Sequence, residues 1–284
     1  MNASTGDGRP HGLALVLGAG GTKGWAHVGV LKVLHEAGVP LDLIVGASAG
    51  ALMGPLYAVR RDAAEAERIA LSFTPTDYLE WFLRDLRLSP RAGRMGHTLW
   101  QAYGRFDFAE MTLPFAAVAL DLRSGEPVGL RSGNVGRAVE ASIRPPLFGR
   151  PVQHDGLHLV DGGLQNAVPV GVARDLGAAM VISVRVGELI ALPKALRPLS
   201  ARVSAAYRAH SAASADVSGQ FGLLAGILSK GRQVPERADI EIRPDMRGIS
   251  SLWPWHVQVA ARRGESAARK ALPAIRRLLS ARAV

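Results

Sequence analysis

Cysteine is absent from the 284-residue chain, and long apolar runs are absent as well. Without cysteine the chain has neither disulfide bonds nor thiolate metal ligands. The closest approach to a membrane span, residues 41–59, is interrupted by Asp42, by three glycines and by Pro55. It falls short of the roughly 18 consecutive apolar residues that a spanning helix needs. We therefore predict no transmembrane helix.

Metal-ligand spacing is also absent. The eight histidines and 24 carboxylates show none of the short, regular separations that are typical of metal sites. We expect that the protein binds no metal and needs no cofactor.

Acidic residues are scarce relative to basic ones. The chain has 24 Asp and Glu against 34 Lys and Arg, which gives a net charge of +10. Such an excess is compatible with peripheral contact with an anionic membrane surface, although a solvated, arginine-rich surface is the commoner explanation. We expect no nucleic-acid partner. The sequence gives no indication of oligomeric state.

The composition, 48% hydrophobic and 20% charged, is that of a globular chain. Its length suits one α/β domain. We expect residues 1–11 to be a disordered leader without an export signal, and the protein to be cytoplasmic. Residues 12–284 would form the domain, with a motif-bearing part at 12–187 and a helical C-terminal part at 188–284.

Apolar runs and helical periodicity alternate along the chain. Continuous apolar runs predict strands buried on both faces, and apolar residues spaced three or four apart predict helices. The predicted strands are residues 13–17, 41–45, 115–122, 126–130, 157–160, 180–186 and 240–242. The predicted helices are residues 25–37, 63–71, 78–88, 135–142, 170–176, 199–228 and 257–279. This alternation predicts an α/β fold, a three-layer sandwich with a mostly parallel central sheet.

A Gly-x-Ser-x-Gly pentad follows the second predicted strand. Gly46, Ser48 and Gly50 lie between an apolar run and an Ala- and Leu-rich helical pattern. A strand, a sharp turn and a helix in this order form a nucleophile elbow, in which the serine adopts a strained backbone and presents its hydroxyl. The pentad alone is weak evidence, because a glycine-rich turn with a capping serine has the same letters.

A glycine-rich loop, residues 18–24, follows the first predicted strand. Consecutive glycines allow backbone N–H groups to converge on one point, as an oxyanion hole requires. A dinucleotide-binding turn is the alternative, because Gly18 and Gly20 follow a strand and precede a helix. Lys23 stands where the third glycine of that fingerprint is expected, which disfavours this alternative.

Asp161 is the strongest candidate for the group that activates the serine. It ends an apolar run and precedes Gly162 and Gly163. An Asp-Gly pair is also a common hairpin turn, and Asp155 with Gly156 repeats the pattern a few residues earlier. The dipeptide alone favours the turn.

Together the three motifs resemble the patatin-like phospholipases. The resemblance rests on GGTKG at residues 20–24, GASAG at 46–50 and DGG at 161–163, and the connecting sequence is similar over residues 12–187. It implies a serine hydrolase that cleaves ester bonds of phospholipids or related acyl lipids, including lysophospholipids and neutral glycerides. Acyl transfer to an acceptor other than water stays open.

The resemblance also implies roles for individual residues. Ser48 would be the nucleophile and Asp161 the proton acceptor of a Ser-Asp dyad, forming an acyl-enzyme on the serine. The oxyanion hole would be formed by the backbone amides of Gly20, Gly21 and Thr22. Motif support would come from Lys23, Gly24, Gly46, Gly50, Gly162 and Gly163. This chain departs from the family by carrying Ala19 where glycine is usual, which would be strained if the position needed a positive φ.

Several alternatives stay open from sequence. A histidine-dependent triad would use a histidine after the acid, such as His210 or His256; His154 and His158 precede Asp161. A non-catalytic regulatory protein of the same fold and an NAD(P)-binding oxidoreductase are the other functional classes. Residues 78–88 either pack against the core or form a mobile cover over an apolar site.

Overall fold

The computed structural model describes residues 12–84, 86–145, 150–164, 166–187 and 237–281. The predicted helix at 199–228 lies outside the described residues.

One sheet of eight strands forms the centre of the described structure. Its order is β5-β6-β3-β2-β1-β7-β8, with β4 paired to β3. The sheet is parallel across the five neighbouring strands β3, β2, β1, β7 and β8. Strands β4, β5 and β6 are antiparallel to their partners. The strands are β1 Leu13–Leu17, β2 Leu43–Ala47, β3 Phe115–Asp121, β4 Pro127–Leu130, β5 Val152–His154, β6 Leu157–Asp161, β7 Met180–Val184 and β8 Ile240–Ile242.

Helices connect these strands. They are α1 Ala26–Glu36, α2 Ala49–Ala58, α3 Ala63–Leu71, α4 Pro75–Leu83, α5 Gly93–Leu99, α6 Val135–Ser142, α7 Val170–Asp175 and α8 Val257–Ser280. Short 3-10 turns precede α1 (Gly21–Trp25), follow β6 (Gly162–Leu164) and precede α8 (Pro254–His256). No helix in the described ranges is long and apolar enough to cross a membrane.

The sheet is buried on both faces, which explains why β1 is apolar at every position. Leu15 and Leu17 point into the larger core, which also contains residues of α1, α2 and α8. Ala14 and Val16 point into the smaller core, together with Val170 of α7. Helices on both sides of a mostly parallel sheet confirm the predicted three-layer α/β fold.

Helices α1 and α8 approach each other closely through glycine. A Cβ atom at Gly29 would lie 2.0 Å from the carbonyl oxygen of Ala261, and one at Gly264 would lie 2.0 Å from the carbonyl oxygen of Ala26. No side chain fits at either position. The small residues therefore set the distance between the helices, and α8 closes the core over α1.

Two predicted elements differ in their bounds. Strand β2 begins at Leu43 rather than residue 41. The Asp42 side chain accepts a hydrogen bond from Leu13 N at 2.7 Å, so a carboxylate oxygen replaces a strand carbonyl as the partner of that amide. Helix α4 ends at Leu83 rather than residue 88, since Leu86 adopts a left-handed backbone with φ of 54°. The other predicted strands and helices within the described ranges agree to within a few residues.

The α1–α8 contact predicts whether an added methyl group raises or lowers the free energy of unfolding. Gly264→Ala should lower the free energy of unfolding by about 1–3 kcal/mol, because the added methyl group forces the two helices apart. In a free helix the same change would stabilise by about 1 kcal/mol. Chemical denaturation measures the difference, and Ser266→Ala, on the exposed face of α8, is the control with an expected change under about 0.5 kcal/mol. A stabilised Gly264→Ala protein would contradict the proposed packing.

Candidate active site

Ser48 occupies the turn between β2 and α2 and has a strained backbone. Its φ is 53° and its ψ is −116°, a conformation that costs a residue with a side chain about 1–3 kcal/mol. A Cβ atom at Gly50 would lie 2.0 Å from the Leu17 carbonyl oxygen, and one at Gly46 would lie 2.5 Å from the Gly50 carbonyl oxygen. Both glycines of the pentad are therefore required sterically.

Ser48 and Asp161 meet although 113 residues separate them. Strands β2 and β6 both pair with β3, where Ala47 is opposite Val118 and Asp161 is opposite Ala119. The two strand ends therefore lie at the same level of the sheet. The Ser48 hydroxyl donates to Asp161 Oδ2 at 2.7 Å, and both side chains are buried.

The environment of Asp161 favours its neutral form. Burial raises the pKa of its carboxyl group to about 7, even though hydrogen bonds from the Ser48 hydroxyl and the Gly163 amide lower it. The Gly163 N–H donates to Oδ1 at 2.8 Å, and Asp161 N donates to the Arg144 carbonyl at 2.8 Å. Near neutral pH the carboxylate is thus a much stronger base than an exposed aspartate.

The two Asp-Gly pairs have different structures. Asp155 and Gly156 adopt positive φ values of 49° and 79° and form the hairpin turn between β5 and β6. Asp161 instead ends β6, and Gly162 begins a 3-10 turn. The hairpin interpretation is correct for the first pair and wrong for the second.

Ser142, at the end of α6, holds the elbow in place and was not identified from sequence. Its hydroxyl accepts a hydrogen bond from Ser48 N at 3.0 Å and donates one to the Val118 carbonyl at 2.6 Å. The side chain is fully buried. No local pattern marks this serine, because its partners lie 94 and 24 residues away.

The glycine loop lies beside Ser48. A Cβ atom at Gly24 would lie 2.3 Å from the Ala49 Cβ, and one at Gly163 would lie 2.4 Å from the Ala19 Cβ. Ala19 is not among the residues with positive φ, so its departure from the family pattern causes no strain there. Instead, its methyl group occupies the space that glycine at position 163 leaves free.

The three backbone amides predicted to form the oxyanion hole differ in whether they already donate a hydrogen bond. Within the described ranges, the N–H groups of Gly20 and Gly21 have no hydrogen-bond partner. Thr22 N donates to the Ser251 carbonyl at 3.0 Å, and its hydroxyl donates to the Ser250 carbonyl at 2.7 Å. In the described part of the chain, two of the three amides therefore have no protein acceptor, and the third is engaged by Ser251.

His27 supports the start of this loop and was also not identified from sequence. Its Nε2 lies 2.8 Å from the Gly18 carbonyl oxygen, and burial lowers its pKa to about 4. The imidazole is therefore neutral at pH 7 and donates through Nε2–H. It does not contact Ser48 or Asp161 through any hydrogen bond.

No other titratable side chain of the described ranges takes part in the Ser48–Asp161 contact. No histidine of the described ranges is hydrogen-bonded to either residue, and His210 lies outside those ranges. Lys23, on the glycine loop, is half-buried and has no salt bridge within the described part of the chain. The same part contains no group of three or more His, Asp or Glu side chains that could hold a metal ion.

Comparison with known proteins identifies the family of the sequence. The family model described as "Patatin-like phospholipase" matches residues 15–174, which include Ser48 and Asp161. Patatin-like phospholipase domain-containing protein 6 of Mus musculus is 36% identical over 186 residues, covering 62% of this chain and 13% of the relative. Lysophospholipase nte1 of Aspergillus fumigatus is 33% identical over 182 residues, covering 62% of this chain and 12% of that protein.

Among solved structures, the fold resembles that of VipD from Legionella pneumophila. The TM-score is 0.53 with 13% sequence identity, and the match covers 93% of this chain and 67% of VipD. The chain spans about an eighth of the length of the curated relatives above. The match of the family model to more than half of the sequence nevertheless confirms the predicted resemblance: the chain belongs to the patatin-like phospholipase family.

Proposed function

We propose that this protein is a serine lipid acyl hydrolase that cleaves carboxylic ester bonds of phospholipids or lysophospholipids. The observation that carries the proposal is the 2.7 Å hydrogen bond from the strained Ser48 to the buried Asp161. The names of the relatives, phospholipase and lysophospholipase, support the substrate class.

The first half of the proposed reaction forms an acyl-enzyme. Ser48 Oγ attacks the ester carbonyl carbon while the Asp161 carboxylate accepts the hydroxyl proton. The carbonyl oxygen becomes an oxyanion, which the N–H groups of Gly20 and Gly21 stabilise. The intermediate then breaks its bond to the alcohol oxygen, and Asp161 returns the proton to that leaving group.

The second half releases the fatty acid. Water attacks the acyl carbon, and Asp161 accepts a proton from the water as the new C–O bond forms. When the second tetrahedral intermediate collapses, Ser48 Oγ leaves and takes the proton back. A single carboxyl group therefore serves as base and acid in each half, which a pKa of about 7 permits.

Lys23 suits a phosphate-bearing substrate. It lies on the glycine loop next to the proposed oxyanion donors, and its ammonium group has no salt bridge within the described ranges. A phosphodiester near the reacting ester would be a suitable charge partner for this ammonium group. This feature favours phospholipids over neutral glycerides.

The other functional classes are less well supported. A non-catalytic regulatory protein has no need of a strained serine that contacts a buried aspartate. An NAD(P)-binding oxidoreductase would need the third glycine of its fingerprint, and Lys23 occupies that position.

Replacing either member of the dyad tests the proposed function. Ser48→Ala should abolish covalent labelling by a fluorophosphonate probe, and both Ser48→Ala and Asp161→Asn should lower ester turnover by about 10³-fold or more. Labelling is followed on intact protein, and turnover as fatty acid released from a short-chain ester and from lysophospholipid. Normal turnover in either folded variant would remove that residue from the mechanism.

The pKa of Asp161 predicts the pH dependence. Because the carboxyl group accepts a proton only when ionised, kcat/KM for a soluble ester should rise with pH through about 7 and then level off. Rates are corrected with Ser48→Ala at each pH. A profile that is flat from about pH 5 to about pH 9, about two pH units on each side of that pKa, would contradict the proposed role.

The same pKa makes a prediction for stability. The folded protein holds a proton between about pH 4 and pH 7 that the unfolded chain releases, so this group's contribution falls as the pH rises through 7. Asp161→Asn, which stays neutral, should therefore gain in melting temperature relative to wild type on going from about pH 5 to about pH 8. A difference that does not change with pH would contradict the raised pKa.

Ser142 is expected to be a positioning residue. Ser142→Ala leaves the buried Ser48 N–H without an acceptor, which costs about 1–3 kcal/mol and lets the elbow relax. We expect kcat to fall about tenfold or more with KM little changed. Ser183→Ala is the matched control, because this fully buried hydroxyl on β7 has no hydrogen-bond partner among the residues that the structure describes. Equal activity of the two variants would show that the contact has no role in catalysis.

A further inference from the structure

A cluster of large apolar side chains is exposed close to the glycine loop. Leu252, Trp253 and Trp255 are 57%, 52% and 64% exposed, and Leu79 and Leu83 of α4 are 44% and 75% exposed. Tryptophan and leucine are usually buried, and contiguous exposed apolar residues mark contact sites. We refer to residues 250–256 as the Trp turn.

The Trp turn is held in place by its backbone. Ser250 Oγ accepts hydrogen bonds from Leu252 N and Trp253 N, each at 3.1 Å, and Pro254 begins the 3-10 turn that leads into α8. These bonds tie the chain into a compact turn while three apolar side chains remain in solvent. Their exposure is therefore a property of an ordered segment.

The turn lies directly on the glycine loop. Thr22 donates from its amide to the Ser251 carbonyl and from its hydroxyl to the Ser250 carbonyl, at 3.0 and 2.7 Å. A Cβ atom at Gly21 would lie only 2.0 Å from the Ser251 carbonyl oxygen. Whatever covers the Trp turn is thereby brought next to the proposed oxyanion donors.

Helix α4 extends the same surface. It contacts the 3-10 turn Pro254–His256. Tyr78 packs edge-on against the buried Trp25, and the buried Trp81 donates from its indole to the Arg87 carbonyl at 2.8 Å, so α4 is fixed to the core. Leu79 and Leu83, four residues apart, lie on one exposed side of this helix.

Positive charge follows the turn in sequence. Helix α8 begins one residue after His256 and carries six Arg and Lys against one Glu. Its Arg262 is exposed. Apolar side chains followed along the chain by basic residues fit an anionic membrane interface, in which tryptophan lies at the level of the headgroups.

We propose that the Trp turn together with Leu79 and Leu83 is a membrane-docking surface, occupied by the headgroup and upper acyl region of an anionic phospholipid bilayer. The inference rests on the proposed function, since docking there would bring Gly20, Gly21 and Ser48 to the membrane that contains the substrate. It adds the source of the substrate, which is the bilayer rather than dispersed monomers.

The test uses the Ser48→Ala protein, so that vesicles stay intact. Vesicles of phosphatidylcholine, with and without phosphatidylglycerol, are prepared with and without brominated acyl chains. We expect binding to be at least about tenfold tighter with phosphatidylglycerol and to weaken with salt. Brominated chains should quench the emission of the exposed Trp253 and Trp255. Trp25 and Trp81 are buried and Trp100 is half-buried, so we expect the emission of these three to change little.

Variants locate the contact. Trp253→Ala with Trp255→Ala should lower vesicle affinity about tenfold or more and remove the bromine quenching. The matched pair Trp253→Phe with Trp255→Phe keeps the apolar rings and should bind within about threefold of the parent. Leu83→Ser, at a site too exposed to affect folding, should weaken binding severalfold.

The outcomes separate this proposal from the proposed function. Vesicle binding unchanged in the alanine pair and in Leu83→Ser would overturn the docking surface. Self-association that the alanine pair abolishes, without any binding to vesicles, would assign the surface to a second copy of the chain and would also overturn it. Wild-type turnover of a soluble short-chain ester reports on the catalytic proposal independently of either result.

Discussion

A carboxyl group removed from water and hydrogen-bonded to a serine hydroxyl is the interaction on which the other features depend. Burial of Asp161 raises its pKa to about 7, and this makes a single carboxylate basic enough to be proposed as the partner of Ser48. Burial also costs stability whenever the group is ionised. The surrounding elements must therefore hold the pair together against that cost.

Close packing of the main chain around Ser48 and Asp161 holds the pair together. Gly46, Gly50 and Gly162 each stand where a Cβ atom would collide with a backbone oxygen, and Gly163 faces the Cβ of Ala19. Ser142 accepts a hydrogen bond from Ser48 N, and Asp161 accepts one from the Ser48 hydroxyl. These two contacts hold the serine in its strained backbone conformation. The elbow, the loop and the Asp-Gly-Gly segment form one contact network around the proposed reaction centre.

Sequence patterns predicted those parts of the site that depend on local chemistry. A buried strand followed by Gly-x-Ser-x-Gly and a helical pattern predicts an elbow with Ser48 at its turn. The pairing with Asp161 required the resemblance to a family, because Asp155 with Gly156 has the same dipeptide and forms an ordinary hairpin turn.

Contacts between distant segments could not be predicted in this way. Ser142 and His27 act through backbone atoms of other elements, so neither their residue types nor their spacing marks them. The engagement of the Thr22 amide depends on Ser251, which is 229 positions further along the chain and is brought near by the docking of α8 on α1. The Trp turn directly precedes α8, so the same contact between the helices places it beside the loop.

Direct observation of an acyl-enzyme tests whether Ser48 is the nucleophile that Asp161 activates. Wild-type protein would be mixed with a chromogenic acyl ester, quenched in acid during turnover, digested and analysed by mass spectrometry. We expect one acyl group, on the peptide that contains Ser48, and none in Ser48→Ala or Asp161→Asn. Turnover with an acyl group on another residue, or equal acylation in Asp161→Asn, would contradict this expectation.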